Sequence, residues 1–534
     1  MRNFSTCTRK KCKVAFVIIL SVELITLAFL GYSGRLTSSS ISRKIPTYRG
    51  QNTDKYHQQK TEKELGSETA TTTTIGPSLP LAVTKQITEA AVVTKNLLTN
   101  GPTARPPSDT DIFGELGKDT ELFPPLLPEE LKKAIILDME QMTGRKEKPK
   151  FNPDFKNPCW YEEAPLPGAY DTNWYRNNHP FKDVMPMKFD KMELELTPKW
   201  VQTGRRLRCL PYFYLAGIAK CGTTDLYLRI KDHPHVTDGL LKVIQWWNRL
   251  AIRIKGNLEE KVSFGEFLDI FDHAASEIED NTCSNCSHLH PSIVGDYSTS
   301  TLFDNDFWPE MRGNNASKHE PDITVAHYMR YLQPGVKIIA IFREPTARLY
   351  SDYLFFTGGV KSEGKSPAKF HEWASAAVLL FLSCTKHYSV RSCVYSKELN
   401  HQKPLAVARL RLGLYHVFVK DFLNVFPRDQ LLFLRLEDYH SDMRGSLNKV
   451  YEFLGLKKLN PWEEDEILAR APTNSRTESY STIGKMWDST RTLLREFYAS
   501  HNDQLADLLN DDRFRWADVL ADTNIAETNT TTER

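Results

Sequence analysis

The sequence predicts an α/β fold, a P-loop-like parallel sheet flanked by helices, preceded by one transmembrane helix and a disordered stem. Three observations carry that prediction. An apolar, aromatic-rich run from Leu210 to Ile218 breaks into a tight loop and then at once into a helical pattern bearing Leu226, Leu228 and Ile230. Val336 to Phe342 (VKIIAIF) is a continuous apolar run, the mark of a strand covered on both faces. Strand and helix patterns then alternate with turn signals between them, which implies a parallel sheet with ligands at the strands' carboxyl ends.

The chain has 534 residues, 40% of them hydrophobic and 11% aromatic, which allows one large core beside non-globular parts. A net charge of +2 gives no nucleic-acid footprint, so any basic surface is local. Val14 to Tyr32 is apolar apart from Ser21, Glu23 and Thr26, long enough to cross a bilayer. Arg2, Arg9, Lys10, Lys11 and Lys13 precede it, and that bias keeps residues 1–13 cytoplasmic and the rest lumenal or extracellular. A cleaved signal peptide would have a shorter apolar core and an A-x-A-like site, which is missing, so the run reads as a signal anchor. Cys7 and Cys12 stand beside it as acylation candidates by position alone.

Residues 33–154 read as a stem. Thr69 to Pro80 and Gly101 to Ser108 are rich in Thr, Ser and Pro and poor in large apolar side chains, so they cannot bury a core. Pro128 to Met139 reads as one isolated amphipathic helix near the stem's end. Globular composition starts near Phe155 and runs to residue 520, with a flexible tail over 521–534. Within it, Thr346 to Phe356 reads as a helix, Leu405 to Phe426 as one long amphipathic helix and Leu431 to Leu436 as a strand. Trp487 to Leu509 carries the closing helices.

Seven cysteines follow the anchor: Cys159, Cys209, Cys221, Cys283, Cys286, Cys384 and Cys393. The odd number leaves one thiol, for which Cys221 in the loop is the natural choice. Proximity favours Cys384–Cys393, with Cys283–Cys286 and Cys159–Cys209 as further pairs, but spacing alone does not fix connectivity. Sequons at Asn285, Asn315 and Asn529 fit a glycosylated lumenal domain.

The loop carries the chemistry. Gly217-Ile218-Ala219-Lys220-Cys221-Gly222-Thr223-Thr224 joins a strand to a helix, where backbone N–H groups and the positive helix end converge on one anion. Lys220 adds a charge, Gly222 lets the backbone approach, and the two threonines add hydroxyls. The order is not G-x-x-x-x-G-K-[ST], because Lys220 precedes Gly222, and no Mg²⁺-binding Asp announces itself. A second grip follows the next strand: Arg343 at its end and Ser351 about two turns into the following helix can hold a further phosphate. Each half alone fits an ordinary turn; together they suit a bisphosphorylated carrier.

The chain resembles the Golgi carbohydrate sulfotransferases. The residues that carry the resemblance are Pro158 to Glu163 (PCWYEE), Arg208 to Tyr227 (RCLPYFYLAGIAKCGTTDLY), Ile341 to Phe356 (IFREPTARLYSDYLFF), Leu412 to Pro427 and Met486 to Leu509. It covers about Phe155 to Val519. It implies 3′-phosphoadenosine 5′-phosphosulfate (PAPS) as donor, with Lys220, Cys221, Gly222, Thr223 and Thr224 around the 5′-phosphosulfate and Arg343 and Ser351 at the 3′-phosphate. Tyr415 and the Asn474-Ser475-Arg476 to Lys485 segment would close over the donor. It also implies a glycosaminoglycan acceptor such as chondroitin or dermatan sulfate, no required metal, and a homodimer as one allowed assembly. Arg205, Arg206, Arg208, Arg249, Arg253 and Lys255 flank the loop as candidates for the acceptor track.

One departure matters. Relatives carry K-E-x-x-W-W or K-E-x-x-F-F after the first helix, with the Glu as general base; here the run is Lys242-Val243-Ile244-Gln245-Trp246-Trp247. Lys242 would hold the transferring sulfonate, but Val243 cannot accept a proton, a loss of about 10²–10⁴-fold in rate assistance. Asp296 is the carboxylate placed to substitute, and His233 and His235 read as structural. A lumenal kinase and a non-catalytic PAPS- or glycan-binding relative are the competing classes. The first needs metal carboxylates that cannot be assigned.

Overall fold

Residues 127–178, 183–252, 261–282, 290–356, 365–473 and 483–519 are described by the computed structural model of the chain. The anchor at residues 14–32, the stem up to residue 126, Arg253, Lys255, Asn285, Cys283, Cys286, Arg476 and Asn529 lie outside them. Among the described residues no helix is long and apolar enough to cross a membrane.

In chain order the strands are β1 (Cys159–Glu163), β2 (Arg205–Cys209), β3 (Phe213–Gly217), β4 (Val236–Thr237), β5 (Ile293–Asp296), β6 (Lys337–Phe342) and β7 (Leu431–Arg435). The helices used below are α1 (Glu129–Thr143), α2 (Thr223–Lys231), α3 (Val325–Leu332), α4 (Pro345–Phe356) and α5 (Asp488–Leu509). Every residue of β3 and β5 is buried, and all of β6 after Lys337. Strands apolar on both faces must be covered on both, and that requirement produces the parallel layer expected from the sequence. The sheet order is β4-β5-β3-β6-β7 with every neighbouring pair parallel. All five carboxyl ends therefore lie along one edge. The chain leaves β3 toward β5 on one side and reaches β6 on the other, so the loops after β3 and β6 open at a topological switch point.

Three elements differ from the sequence reading. The run Leu210 to Ile218 is not one strand: β2 ends at Cys209 in an antiparallel ribbon with β1, and β3 starts at Phe213. Pro211 between them has no N–H to give a ladder. Leu405 to Phe426 is not one helix. Arg409, at φ 36° and ψ 48°, ends a short helix Leu405–Ala408, a 3-10 turn Leu410–Gly413 follows, and Tyr415–Leu423 resumes. The Tyr498 hydroxyl donates to the Leu410 carbonyl at 2.8 Å, and its ring packs where a Cβ on Gly413 would come within 2.7 Å. An apolar period of 3.6 carries no sign of that intrusion.

The third difference is α1, which is not an isolated stem helix. Ile135 and Met139 are fully buried against the main core. Asp138 accepts the Arg312 N–H at 2.8 Å, pairs with the Arg312 guanidinium and accepts the Tyr328 hydroxyl from α3. The packed body thus includes residues 127–154, because burial of one apolar stripe outweighs the polar look of the segment. The disulfides Cys159–Cys209 and Cys384–Cys393 form as proximity favoured, and Cys221 is a free, buried thiol. Ile135→Ala should lower unfolding stability by about 2–4 kcal/mol in a denaturant titration. A helix outside the core would lose no more than about 0.5 kcal/mol.

Candidate functional site

The loop between β3 and α2 is shaped by two left-handed residues, Lys220 at φ 72° and Gly222 at φ 79°. Gly222 has no alternative. Besides its φ, a Cβ there would lie 2.5 Å from Leu436 Cδ1 at the end of β7. Gly222 is the N-cap of α2 and brings no side-chain acceptor to the first turn. The leading N–H groups of that helix are left to a ligand, and the helix dipole favours an anion there. Asp225 in the same turn does not oppose this charge. Its carboxylate is bound to Arg229, Tyr439 and the Thr473 N–H.

Three cations converge on this point. Lys220 Nζ stands 3.7 Å from the centre of the Phe355 ring, and burial lowers the ammonium to about 8. Asp352 counters that shift, while Arg343 and Arg409 add to it. Lys242 Nζ donates to Thr224 Oγ1 at 2.6 Å and is lowered to about 7, by burial first and then by the Lys220 charge. Arg343 follows β6 directly, half-buried, and its charge reaches both Lys220 and Cys221. Like charges gathered without an equal number of carboxylates are what an anion site costs the protein when empty.

The turn that carries Arg343 is fixed from both sides. Glu344 accepts the Thr346 and Ala347 N–H groups at the start of α4, and Glu437 accepts the Glu344 N–H at 2.9 Å. Ser351 lies half-buried farther along α4. Thr223 is buried at the mouth of α2, and Thr224 is half-buried under Lys242.

Other sequence-derived assignments change. Tyr415 does not close over a ligand. Its ring stacks on Phe342 at 4.6 Å and its hydroxyl donates to the Arg343 carbonyl at 2.8 Å, so it braces the Arg343 turn from within the core. The Cys221 side chain points inward beside Tyr415, with burial pushing the thiol up to about 12, so the thiol itself is withdrawn into the core. Asp296 is fully buried at the end of β5 and does not reach an acceptor from there. Its carboxylate accepts the Ser298 N–H at 2.7 Å, and burial raises it to about 6. Ser298 Oγ in turn accepts the Ile244 and Gln245 N–H groups, so Asp296 positions the Lys242 segment through one relay.

The basic track also resolves differently. Arg206 and Arg208 are ion-paired with Glu162, Asp269 and Asp272. Arg205 lies on the Tyr161 ring, and Arg249 pairs with Asp304. Arg206 and Arg208 are thereby withdrawn into the β1–β2 ribbon, whereas Arg205 and Arg249 stay exposed. His233 is structural as read: its ring meets the Lys457 carbonyl, and burial lowers it to about 4. His235 sits beside it, its N–H donating to His233 Nδ1.

Sequence reasoning missed Asp352, Arg348 and Arg409. The i,i+4 spacing of Arg348 and Asp352 inside the Arg343 motif was a usable signal, whereas Arg409 arrives from a distant turn with none.

The two lysines set a pH dependence. In the empty site they lose protons near pH 7–8, and a bound anion restores them. Binding of adenosine 3′,5′-bisphosphate should weaken as pH rises from 6 to 9 and should take up protons at pH 8. Calorimetry in buffers of different ionisation enthalpy measures the uptake; pH-independent binding without uptake contradicts the assignment. Gly222→Ala should remove binding while leaving the Cys384–Cys393 bridge and overall fold intact.

A family model described as "Sulfotransferase domain" matches residues 211–495. The chain is similar to mouse carbohydrate sulfotransferase 15, 37% identical over 382 residues, and to the human protein of that name, 36% identical over 379 residues. Each alignment takes in 69% of this chain, and the chain spans 66% of the length of those curated relatives. A solved structure of a sulfotransferase from Alicyclobacillus acidocaldarius is 20% identical, with a TM-score of 0.34, over 57% of this chain and 99% of that one. The family match covers the loop, Lys242, Arg343, Ser351 and Tyr415 alike: the chain belongs to the sulfotransferase family.

Proposed function

We propose that the protein transfers a sulfuryl group from PAPS to a sugar hydroxyl of a glycosaminoglycan. The observation that carries this is the pair of cationic grips at the carboxyl ends of neighbouring strands: the Lys220 loop after β3, and Arg343 with Ser351 after β6. Their joint chemistry suits a nucleotide with phosphates at both ends of the ribose. The fit is supported by the glycine cradle at Gly222 and by Lys220, an ammonium whose nearest described cover is the face of a ring. The donor, when bound, supplies the activated sulfur–oxygen bond.

The residues do the rest by position and charge. Lys220 and the first turn of α2 hold the bridging and leaving oxygens, with Thr223 keeping them in line. Lys242, tied to Thr224, faces the sulfonate. The new carbon–oxygen–sulfur link forms as the sulfur–phosphate oxygen bond breaks, and the hydroxyl proton leaves to solvent or to a base. We place the reaction on the 6-hydroxyl of N-acetylgalactosamine 4-sulfate in chondroitin or dermatan sulfate. That choice rests on the motif resemblance to N-acetylgalactosamine 4-sulfate 6-O-sulfotransferase and on the relatives' carbohydrate specificity. We also place the protein in the Golgi membrane, single-pass with its domain lumenal, from the basic residues before Val14; exposed Asn315 is then open to a glycan.

A second reading, a slow or non-catalytic relative, is favoured by one specific observation. Val243 is half-buried where the base is expected, and among the described residues no carboxylate hydrogen-bonds Lys242. Transfer of radiolabelled sulfate from PAPS to a panel of glycosaminoglycans, with disaccharide analysis, separates the readings. Lys220→Ala should abolish transfer and weaken adenosine bisphosphate binding at least tenfold, roughly the loss of one charged contact. Val243 lies outside the buried core, so Val243→Glu should fold and raise kcat about tenfold or more with donor affinity unchanged. Vigorous wild-type turnover indifferent to Val243→Glu would rule out a missing base at that position.

A further inference from the structure

Arg409 is a further cation whose charge bears on Lys220, beside Arg343. It sits at the break between two helical segments, held at φ 36° and ψ 48°, a conformation that a branched or long side chain adopts only when its surroundings impose it. Its guanidinium Nε donates to Asp352 Oδ2 at 2.8 Å and Nη2 donates to Oδ1 of the same carboxylate. The side chain remains 28% exposed, while Asp352 is 2% exposed. The guanidinium carbon lies 4.0 Å from the centre of the Phe356 ring, next to the Phe355 ring that covers Lys220, and the two rings are 4.7 Å apart. Arg409 and Lys220 thus rest on adjacent rings at the same mouth.

The Asp352 contact is one that Arg409 can give up. Asp352 has a second partner, Arg348, whose Nη1 stands 3.3 Å away and is itself fully buried. If the Arg409 head turns away, the carboxylate keeps a cation. Arg348 Nη2 also donates to the Arg409 carbonyl at 3.2 Å, which holds the backbone while the side chain swings. The charges favour such a swing. Arg343 and Arg409 weigh against the Lys220 charge while Asp352 supports it, and a donor with a phosphosulfate at one end and a phosphate at the other brings several negative charges.

From this arrangement, and resting on the sulfotransferase reading, we infer that Arg409 is a third anion-binding residue of the site, exchanging Asp352 for a sulfate or phosphate oxygen of a substrate. A guanidinium fork suits that exchange because it presents the same two-donor edge to a carboxylate, a sulfate or a phosphate. The oxyanion belongs either to the donor nucleotide or to the sulfated acceptor, and the test has an arm for each.

The full-length protein is assayed as wild type, Arg409→Gln, Arg409→Lys and Lys220→Ala. Binding of adenosine 3′,5′-bisphosphate is measured by calorimetry, and KM and kcat are measured for chondroitin sulfate. A loss of about tenfold in nucleotide binding by Arg409→Gln assigns the oxyanion to the donor. A rise of about tenfold in KM for chondroitin sulfate, with adenosine bisphosphate binding unchanged, assigns it to the acceptor. Arg409→Lys should fall between wild type and Gln in either arm, since it keeps the charge and loses the fork. A folded Arg409→Gln with both arms unchanged, or with only kcat or melting temperature lowered, overturns the inference. If Arg409→Gln does not fold, an Arg409→Lys variant identical to wild type in both arms overturns it as well. Wild type that binds no adenosine bisphosphate defeats the sulfotransferase reading itself. Binding that is lost in Lys220→Ala but untouched at Arg409 defeats only this assignment.

Discussion

Mutual repulsion among Lys220, Lys242 and Arg343 is the constraint to which the surrounding structure answers. Burial already disfavours each lysine's charge; Arg343 adds to this at Lys220, and Lys220 adds to it at Lys242. Left on flexible segments, such side chains would turn out to solvent. They stay together because each backbone is fixed by something stronger than the repulsion. Lys220 is held by a left-handed turn that packs on Leu436, and Arg343 by the Glu344 cap and the Tyr415 hydroxyl. Lys242 is held by the Ser298 relay behind its segment and by its bond to Thr224. The site is an instance of strain supported by packing elsewhere, and an anion relieves it.

The parallel sheet makes the convergence possible. Because β3 and β6 are neighbours and run the same way, the loop after one and the turn after the other are delivered side by side, though Lys220 and Arg343 are far apart in sequence. Leu436, just after β7, packs beneath the loop, and β5 ends at Asp296, which is buried and bonded to the Ser298 N–H. Asp352 and Asp296 are buried and engaged, and the half-buried Val243 sits where an accessible carboxylate was expected. That division leaves the cations of the Lys220 loop and the Arg343 turn at the sheet edge, with no carboxylate hydrogen-bonded to Lys242 among the described residues.

The order of residues alone pointed to the loop, the helix after it, the strand before Arg343, the leftover thiol and the Cys384–Cys393 bridge. Each is a local pattern: a glycine at a forced turn, an apolar run of strand length, or a cysteine pair close in sequence. Tertiary structure decided the rest, because the deciding groups lie far along the chain. The stripe of Ile135 and Met139 looks like any stem helix until α3 is beside it. Tyr498, in α5, breaks the long helical pattern before Tyr415. Arg206 and Arg208 look like a glycan track until Asp269 and Asp272 fold against them and neutralise them. Asp296 and Tyr415 carry the right chemical groups for a substrate site, yet the fold buries both, and burial with satisfied hydrogen bonds turns a reactive group into a brace. Sequence states which charges are available; only packing determines which of them an incoming anion can reach.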